Sequence, residues 1–296
     1  MPDGALLFEK ADMSFVSRQW TDLPYSLQSA SQRLDIFLPD TGDGPYPILL
    51  WIHGGGWMSG DKSERIQLQP LCGALDRGFA LVPVNYRLST EAKFPCQIYD
   101  LKTAIRYIRA NAWKYCLQSD NIGIWGGSAG GHLAALAALT HNVPALDGTC
   151  AGYCGASSRV QAAAVISAVT DLYKFAVDEA GGGNALKTGF PYPPADFLLG
   201  KSVVSAVEAA YAASPVAYVS PEAPPFYLCH GSRDRIVDAA QSIEFAEKLR
   251  NASGNANVTL SLVEGAGHHA DPLLLQPEEI SAQMDFFEKF IMWRDR

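Results

Sequence analysis

The 296-residue sequence predicts an α/β protein built on a doubly wound, mostly parallel sheet that is flanked by helices. Two observations lead to this prediction. Short, continuous apolar runs, which are typical of strands covered on both faces, alternate along the chain with segments of helical periodicity. One such run passes through a glycine-rich turn directly into an alanine-rich segment, which indicates a strand–turn–helix unit. In a sheet of this kind the carboxyl ends of the parallel strands meet at one edge, where ligands bind.

The individual elements follow in chain order. Residues up to about 30 show little periodicity and are expected to form an irregular lead-in. The predicted strands are 34–38, 47–53, 79–86, the apolar run that begins at 121, 160–168, 225–230 and 258–263. The predicted helices are 95–112, the alanine-rich run 133–139, 203–213, 238–251 and 277–293. We expect one domain over residues 1–296, in which 172–223 is a small, cap-like insertion that is too short and too broken to hold its own core.

Composition and charge exclude several classes of partner. A hydrophobic share of 48% with 18% charged residues is ordinary for a globular protein with a substantial core. The net charge of −8 argues against nucleic acid or an anionic membrane as a partner. No apolar segment is long enough to span a bilayer. The N-terminal residues lack the features of a secretory signal, so we expect a cytoplasmic protein, or a secreted one if a signal was removed from a precursor.

The six cysteines do not form a metal-binding pattern. No C-x-x-C pair and no His/Cys cluster of zinc-site spacing is present, so we predict no metal and no other cofactor. Cys229 lies in an apolar run and is expected to be buried. Cys150 and Cys154 flank a short loop and could pair in an oxidising compartment, although a chain of this size has little need of disulfides.

The glycine-rich turn contains a candidate nucleophile. Residues 126–130 fit G-x-S-x-G, in which the central serine, Ser128, sits on a cramped strand-to-helix turn. Such a turn exposes the hydroxyl at the N-terminus of a helix, where the dipole favours developing negative charge. The pentapeptide alone is equally consistent with a glycine turn without chemistry. The apolar run before it and the helical segment after it favour the nucleophile.

A serine nucleophile requires a base, and six histidines are candidates. His268 and His269 follow the last predicted strand in a glycine-rich loop. We predict that His268 is the base. The alternative role for His269 is a wall of the substrate pocket or a solvated loop residue.

A carboxylate usually orients such a base, and three aspartates compete for this role. Asp234 comes directly after the strand 225–230 and is the predicted acid. Asp238 has the position of a helix cap. Asp171 follows an earlier strand and would place the acid one strand closer to the serine.

A run of three glycines after the strand 47–53 predicts an oxyanion site. Attack on a carbonyl places negative charge on its oxygen, and backbone N–H groups of glycines can approach that oxygen without obstruction. An HGGG-type loop and the amide after the nucleophile commonly fill this role. We therefore assign the oxyanion donors to Gly55, Gly56 and Ala129.

Four of these segments carry a family resemblance: His53–Trp57, Gly126–His132, His230–Asp234 and Gly265–His268. They resemble motifs of the α/β-hydrolase carboxylesterases, and of the branch that contains feruloyl and acetyl-xylan esterases and the hormone-sensitive-lipase-like esterases. The similarity runs from about Leu34 to the C-terminus. It implies the α/β-hydrolase fold, with the triad order serine, acid, histidine. Residues 85–88 and 94–100 also resemble stretches of that branch, which implies that Arg87 and Asp100 brace loops beneath the site.

The resemblance implies a serine carboxylic ester hydrolase that acts on short-chain acyl, acetyl or feruloyl esters without a cofactor. The pocket residues are predicted to be Trp57, Gly127 and His269, with Phe190 and Tyr192 of the insertion as further candidates. The alternatives are an arylformamidase-type amidase and a hydrolase-like receptor that binds a small molecule without turnover. The expected partner is a small-molecule ester, and the sequence does not decide between a monomer and a homodimer.

Overall fold

The computed structural model describes residues 8–180 and 192–292. Its centre is an eight-stranded sheet with strand order β1-β2-β4-β3-β5-β6-β7-β8. Strands β1 and β2 pair antiparallel, as do β2 and β4, whereas all later neighbours pair parallel. The strands are β1 (Gln19–Pro24), β2 (Arg33–Phe37), β3 (Tyr46–Ile52), β4 (Ala80–Val84), β5 (Leu117–Gly127), β6 (Ala162–Ile166), β7 (Phe226–Gly231) and β8 (Val258–Val263).

Helices cover both faces of the sheet. The described helices are α1 (Arg65–Leu68), α2 (Gly73–Asp76), α3 (Cys96–Asn111), α4 (Ala129–Leu139), α5 (Leu172–Ala180), α6 (Pro194–Leu199), α7 (Val207–Ala212), α8 (Ala240–Ser253) and α9 (Pro277–Phe287). Helices α3, α4 and α8 pack on one face, and α1, α2 and α9 pack on the other. None of the described helices is long and apolar enough to cross a membrane.

The core forms because the central strands are apolar on both faces. Along β3, Ile48, Leu50 and Ile52 face one hydrophobic cluster, while Leu49 and Trp51 face the other. All residues of β3 are buried. Side chains that alternate between two buried faces give a continuous apolar run, which is the pattern that predicted this strand.

From residue 33 onward the predicted strands are confirmed, as are the helices predicted over 95–112, 133–139 and 238–251, whereas the helices α1, α2, α5 and α6 were not predicted. The expected irregular lead-in is wrong for β1, because its residues are mostly exposed and therefore leave no apolar alternation in the sequence. The helix predicted over 203–213 is only the six-residue α7. The last predicted helix continues from α9 as a π-helical turn, Glu288–Met292, and Trp293 lies outside the described residues.

The cysteines differ in state. Cys229 is buried as predicted, and it is free, as are Cys72, Cys96 and Cys116. Cys154 is disulfide-bonded. The side chain of Cys150, which could pair with Cys154 in an oxidising compartment, lies outside the described part of the chain.

Candidate active site

Ser128 lies at the carboxyl edge of the sheet, in a strained turn between β5 and α4. Its φ of 52° is a left-handed conformation that costs free energy for a residue with a side chain. The Ser128 N–H donates to the carbonyl oxygen of Ile166 in the neighbouring strand β6, at 2.8 Å. Two residues further, a Cβ on Gly130 would lie 2.1 Å from the carbonyl oxygen of Ile52. Glycine is therefore needed there for α4 to begin against the end of β3.

Three side chains from separate loops form one hydrogen-bonded chain. Ser128 Oγ is 2.8 Å from His268 Nε2, and His268 Nδ1 is 2.7 Å from Asp234 Oδ2. The carboxylate can only accept, so His268 Nδ1 carries a proton and Nε2 is left to accept from the serine hydroxyl. The structure thus brings together the three residues predicted as nucleophile, base and acid.

Asp234 is held in its ionised form. Its side chain is fully buried. Burial by itself would raise its pKa, but hydrogen bonds and charge from His230 and His268 outweigh burial and hold the pKa of Asp234 far below its usual range. The other carboxylate oxygen, Oδ1, accepts from the backbone N–H groups of Ile236 and Val237, at 2.9 and 3.0 Å. The loop after β7 therefore fixes the carboxylate before any substrate binds.

His230 is a neighbour of the acid that the sequence did not identify as functional. Its Nε2 is 3.3 Å from Asp234 Oδ2 and 2.9 Å from the carbonyl oxygen of Val237. Its Nδ1 is 2.7 Å from Ser242 Oγ on α8. In the sequence, its contact with the acid could have been predicted from its position four residues before Asp234, at the end of a buried strand.

The competing aspartates are engaged elsewhere. Asp171 Oδ1 accepts from the backbone N–H of Lys174 in the first turn of α5, at 2.9 Å. Asp238 Oδ1 accepts from Ala240 N at the start of α8, at 2.8 Å, which is the capping role predicted for it. Among the hydrogen bonds of the described residues, only Asp234 of these three contacts His268.

The glycine loop after β3 presents free amides. Gly55 has a φ of 110°, and a Cβ there would lie 2.2 Å from the carbonyl oxygen of Ser59, so the turn requires glycine. Within the described part of the chain, the N–H groups of Gly55, Gly56 and Ala129 donate to no acceptor. All three residues line the cavity beside Ser128. They are therefore available to a ligand oxygen at the serine.

The cavity at the serine has a volume of about 190 Å³ and is mostly apolar. Besides Ser128, His268 and the three amide residues, it is lined by Trp57, Val169, Phe175, Pro194, Ile236, Val237 and His269. Phe175 and Pro194 come from the segment between β6 and β7. The predicted wall Phe190 lies outside the described residues. Tyr192 is 59% exposed, stacks on Phe197 and is not among the lining residues.

His269 lines the cavity, and its ring leaves no room for a side chain at two nearby glycine positions. A Cβ on Gly54 would lie 2.8 Å from His269 Nε2, and one on Gly127 would lie 2.7 Å from its Cδ2. The imidazole thus occupies the space that side chains at these positions would need. Gly127 lies against this ring and is not one of the cavity-lining residues, contrary to its predicted place in the pocket. Burial lowers the pKa of His269 to about 3, so the ring is neutral.

Arg87 and Asp100, which the resemblance implied would brace loops, pair with each other. Arg87 Nη2 is 2.6 Å from Asp100 Oδ1, and Arg87 Nε is 2.9 Å from Oδ2. Asp100 is buried and also accepts from Gln32 Nε2, at 2.7 Å. In the described residues, no group of three or more His, Cys, Asp or Glu side chains is placed to hold a metal ion.

The strand order and the position of Ser128 between β5 and α4 define the α/β-hydrolase fold. Comparison with known proteins also identifies the family of the chain. Residues 34–249 match the profile of the BD-FAE family, and the chain belongs to that family.

Individual relatives agree with this assignment. The chain is 38% identical to "Esterase LipQ" of Mycobacterium tuberculosis over 85% of its own length and 57% of the relative. It is 36% identical to "Probable carboxylic ester hydrolase LipM" of the same organism, over 78% of the chain and 52% of the relative. The chain thus spans a little over half the length of these curated relatives. A solved structure titled "Truncated form of carbohydrate esterase from gut microbiota" superposes with a TM-score of 0.83 at 28% identity, covering 95% of this chain and 99% of that one.

Proposed function

We propose that the protein is a carboxylic ester hydrolase that cleaves esters of short acyl groups through an acyl-enzyme on Ser128. The observation that carries this proposal is the hydrogen-bonded chain from Ser128 Oγ through His268 to the ionised Asp234. The Ser128 end of this hydrogen-bonded series lies in a cavity that is also lined by residues with unbonded backbone amides. The names of the relatives LipQ and LipM support ester hydrolysis.

In the first half-reaction, Ser128 Oγ attacks the ester carbonyl carbon while its proton moves to His268 Nε2. The imidazolium that forms is stabilised by Asp234 through the Nδ1–H hydrogen bond. The carbonyl oxygen becomes an oxyanion that accepts from the amides of Gly55, Gly56 and Ala129. Collapse of this tetrahedral species breaks the bond to the alkoxy oxygen, and His268 returns the proton to the departing alcohol.

In the second half-reaction, water takes the place of the Ser128 hydroxyl as the nucleophile. His268 Nε2 removes a proton from the water as its oxygen attacks the acyl-enzyme, and the same amides hold the second oxyanion. The proton then returns to Ser128 Oγ as the acid is released. The reaction balances with water as its only co-reactant.

The size and lining of the cavity support a short acyl group. Its volume of about 190 Å³ is below the roughly 300 to 1,000 Å³ that is usual for sites of drug-sized ligands. The apolar side chains Val169, Phe175 and Ile236 suit an acetyl to butyryl chain better than a feruloyl group. We propose that the insertion 172–223 acts as a cap within a single domain, because Phe175 and Pro194 supply part of this lining. The solved carbohydrate esterase supports a sugar as the alcohol part.

Substitution of the serine tests the mechanism. We expect Ser128→Ala to lower kcat for p-nitrophenyl acetate by about a million-fold, as triad loss does elsewhere. The exposed Ser157, which lies outside the cavity lining, offers a matched control, and Ser157→Ala should retain activity. A fluorophosphonate should label Ser128 in the wild-type protein, as located by mass spectrometry.

A substrate panel separates the alternatives. The panel contains p-nitrophenyl acetate, acetylated xylan, methyl ferulate and N-formylkynurenine. Faster turnover of N-formylkynurenine than of any ester would replace the esterase by an arylformamidase-type amidase. A protein that neither reacts with the fluorophosphonate nor hydrolyses any member of the panel would instead be a small-molecule receptor.

The proposal also covers the oligomeric state of the protein and the compartment in which it acts. We propose that Ser128, His268 and Asp234 of one chain suffice for activity, so that a homodimer is not required. The disulfide of Cys154 supports an oxidising compartment, and therefore secretion rather than the cytoplasmic location expected from the N-terminal residues.

A further inference from the structure

A hydrogen-bonded bridge joins the glycine loop to the helix that follows the nucleophile. Trp57 comes directly after the glycines, and its Nε1–H donates to His132 Nδ1 at 3.1 Å. His132 Nε2 is 2.7 Å from the carbonyl oxygen of Ala213, just after α7. The two rings meet edge to face, with centroids 5.2 Å apart. Three separate segments of the chain thus meet at one imidazole.

The partners of this imidazole determine its protonation. Nδ1 must accept from the indole N–H, so the single proton of the neutral ring lies on Nε2 and is donated to Ala213. His132 and Trp57 are both buried, so water does not replace either hydrogen bond. A second proton on Nδ1 would face the indole N–H and break the bridge. Only one of the three protonation states of this ring satisfies both contacts.

The bridge lies next to the groups that act on the substrate. His132 is one helical turn after Ser128, and its N–H donates to the Ser128 carbonyl oxygen at 2.9 Å. Trp57 is adjacent in sequence to Gly56, which lines the cavity and whose N–H has no acceptor among the described residues. The indole also contacts the Phe175 ring edge to face, with a centroid distance of 6.4 Å, and both rings line the cavity.

We propose that His132 is a positioning residue that acts through Trp57. By fixing the indole, it holds the amides of Gly55 and Gly56 at the distance from Ser128 that the oxyanion requires. The same contact keeps the indole against Phe175 and so limits the depth of the acyl pocket. This inference rests on the proposed ester hydrolysis and assigns to it a determinant of both rate and acyl-chain length.

Three variants separate the hydrogen bonds from the bulk of the ring. His132→Leu removes both hydrogen bonds. His132→Gln keeps an acceptor for Trp57 and a donor for Ala213. Trp57→Phe retains an aromatic ring but removes the indole donor, and it serves as the second test if His132→Leu does not fold. Tyr218→Phe is the matched control, because Tyr218 Oη donates to the carbonyl oxygen of Ala212, the neighbour of Ala213, without contacting Trp57.

The measurements are kcat and KM for p-nitrophenyl acetate, the ratio of kcat/KM for hexanoate to that for acetate, and the melting temperature. We expect His132→Leu to lower kcat at least tenfold with KM nearly unchanged, because a misplaced oxyanion donor acts on the transition state. The hexanoate-to-acetate ratio should rise about fivefold as the indole is released. His132→Gln should restore most of kcat, and Tyr218→Phe should change neither kcat nor the ratio.

Coupling between the two residues gives an independent check. If His132 acts through the indole, the loss in kcat from Trp57→Phe and His132→Leu together should be much smaller than the product of the two single losses. Additive losses, a His132→Gln variant as slow as His132→Leu, or an equal loss in Tyr218→Phe would each overturn the proposal. None of these outcomes bears on Ser128, so ester hydrolysis itself is judged separately by Ser128→Ala and the label.

Discussion

The two sides of the cavity are built differently. The sheet side consists of loops that follow the strands, namely 54–57 after β3, Ser128 and the start of α4 after β5, Val169 after β6, 234–237 after β7 and 268–269 after β8. The insertion side consists of residues 172–180 and 192–223, whose helices α5, α6 and α7 have nine, six and six residues. Helices this short are marginal by themselves and depend on their packing.

Polar contacts attach the insertion to the sheet side at a few points. Phe94 N donates to the carbonyl oxygen of Leu198 on α6, at 2.9 Å. Val216 N, after α7, donates to the carbonyl oxygen of Thr170 after β6, at 3.1 Å. His132 adds the contact to Ala213. The proposed reacting groups are therefore held by loops at the ends of the sheet strands, while the short helices of the insertion complete the lining of the cavity.

The largest expected effect comes from a comparison of two aspartates: Asp234 on the sheet side, and Asp171 directly before the insertion. Asp234→Asn removes the carboxylate that holds His268 in its reactive tautomer, and we expect kcat for p-nitrophenyl acetate to fall about ten-thousand-fold. Asp171→Asn, at the start of the insertion, should keep kcat within about threefold, since amide oxygens can replace its single helix-start contact. Near-normal turnover in Asp234→Asn would show that another group orients the base.

His132, which joins the two sides of the cavity, makes the free energy of unfolding depend on pH. Burial lowers the pKa of His132 from 6.5 to about 4. The unfolded chain therefore gains a proton at this residue near pH 6.5 and the folded chain only near pH 4, so stability falls as the pH is lowered through this window. At about 1.4 kcal/mol for each pH unit, the difference corresponds to about 3 kcal/mol.

The measurement is urea unfolding of the wild type and of His132→Gln at pH 7 and pH 4. The free energy of unfolding should fall by about 3 kcal/mol more in the wild type, because glutamine does not titrate. The comparison isolates His132 from the other buried histidines, which both proteins share. An equal fall in the two proteins would contradict the neutral, buried state of this ring.

The smallest expected effect concerns the insertion wall. Phe175→Ala removes an aromatic side chain from the cavity lining, and the ratio of kcat/KM for hexanoate to that for acetate should rise about tenfold. The absolute rate with acetate should change little, because no reacting group is moved. Tyr192→Ala, at an exposed residue outside the cavity lining, is the control and should leave the ratio unchanged. A similar shift in both variants would indicate general loosening of the insertion.

Local sequence patterns predicted most of the fold. Buried strands such as β3 and β7 are apolar on both faces, so their positions follow from composition alone. Strand β1 was missed because it is an exposed edge strand that is held by backbone pairing with β2. The residues predicted as nucleophile, base and acid could be named because each follows a strand, and parallel strands end at the same edge.

What the sequence determined by itself is the order of the strands along the chain and the residues that carry chemistry, since a strained G-x-S-x-G turn and a glycine loop require particular residues locally. Tertiary structure alone decided which aspartate meets His268, why Gly127 lies against His269, and that His132 joins Trp57 to Ala213. These contacts connect residues 34, 142, 75 and 81 positions apart. Their distances and burial depend on how the whole sheet brings its loops together, and no local pattern contains that information.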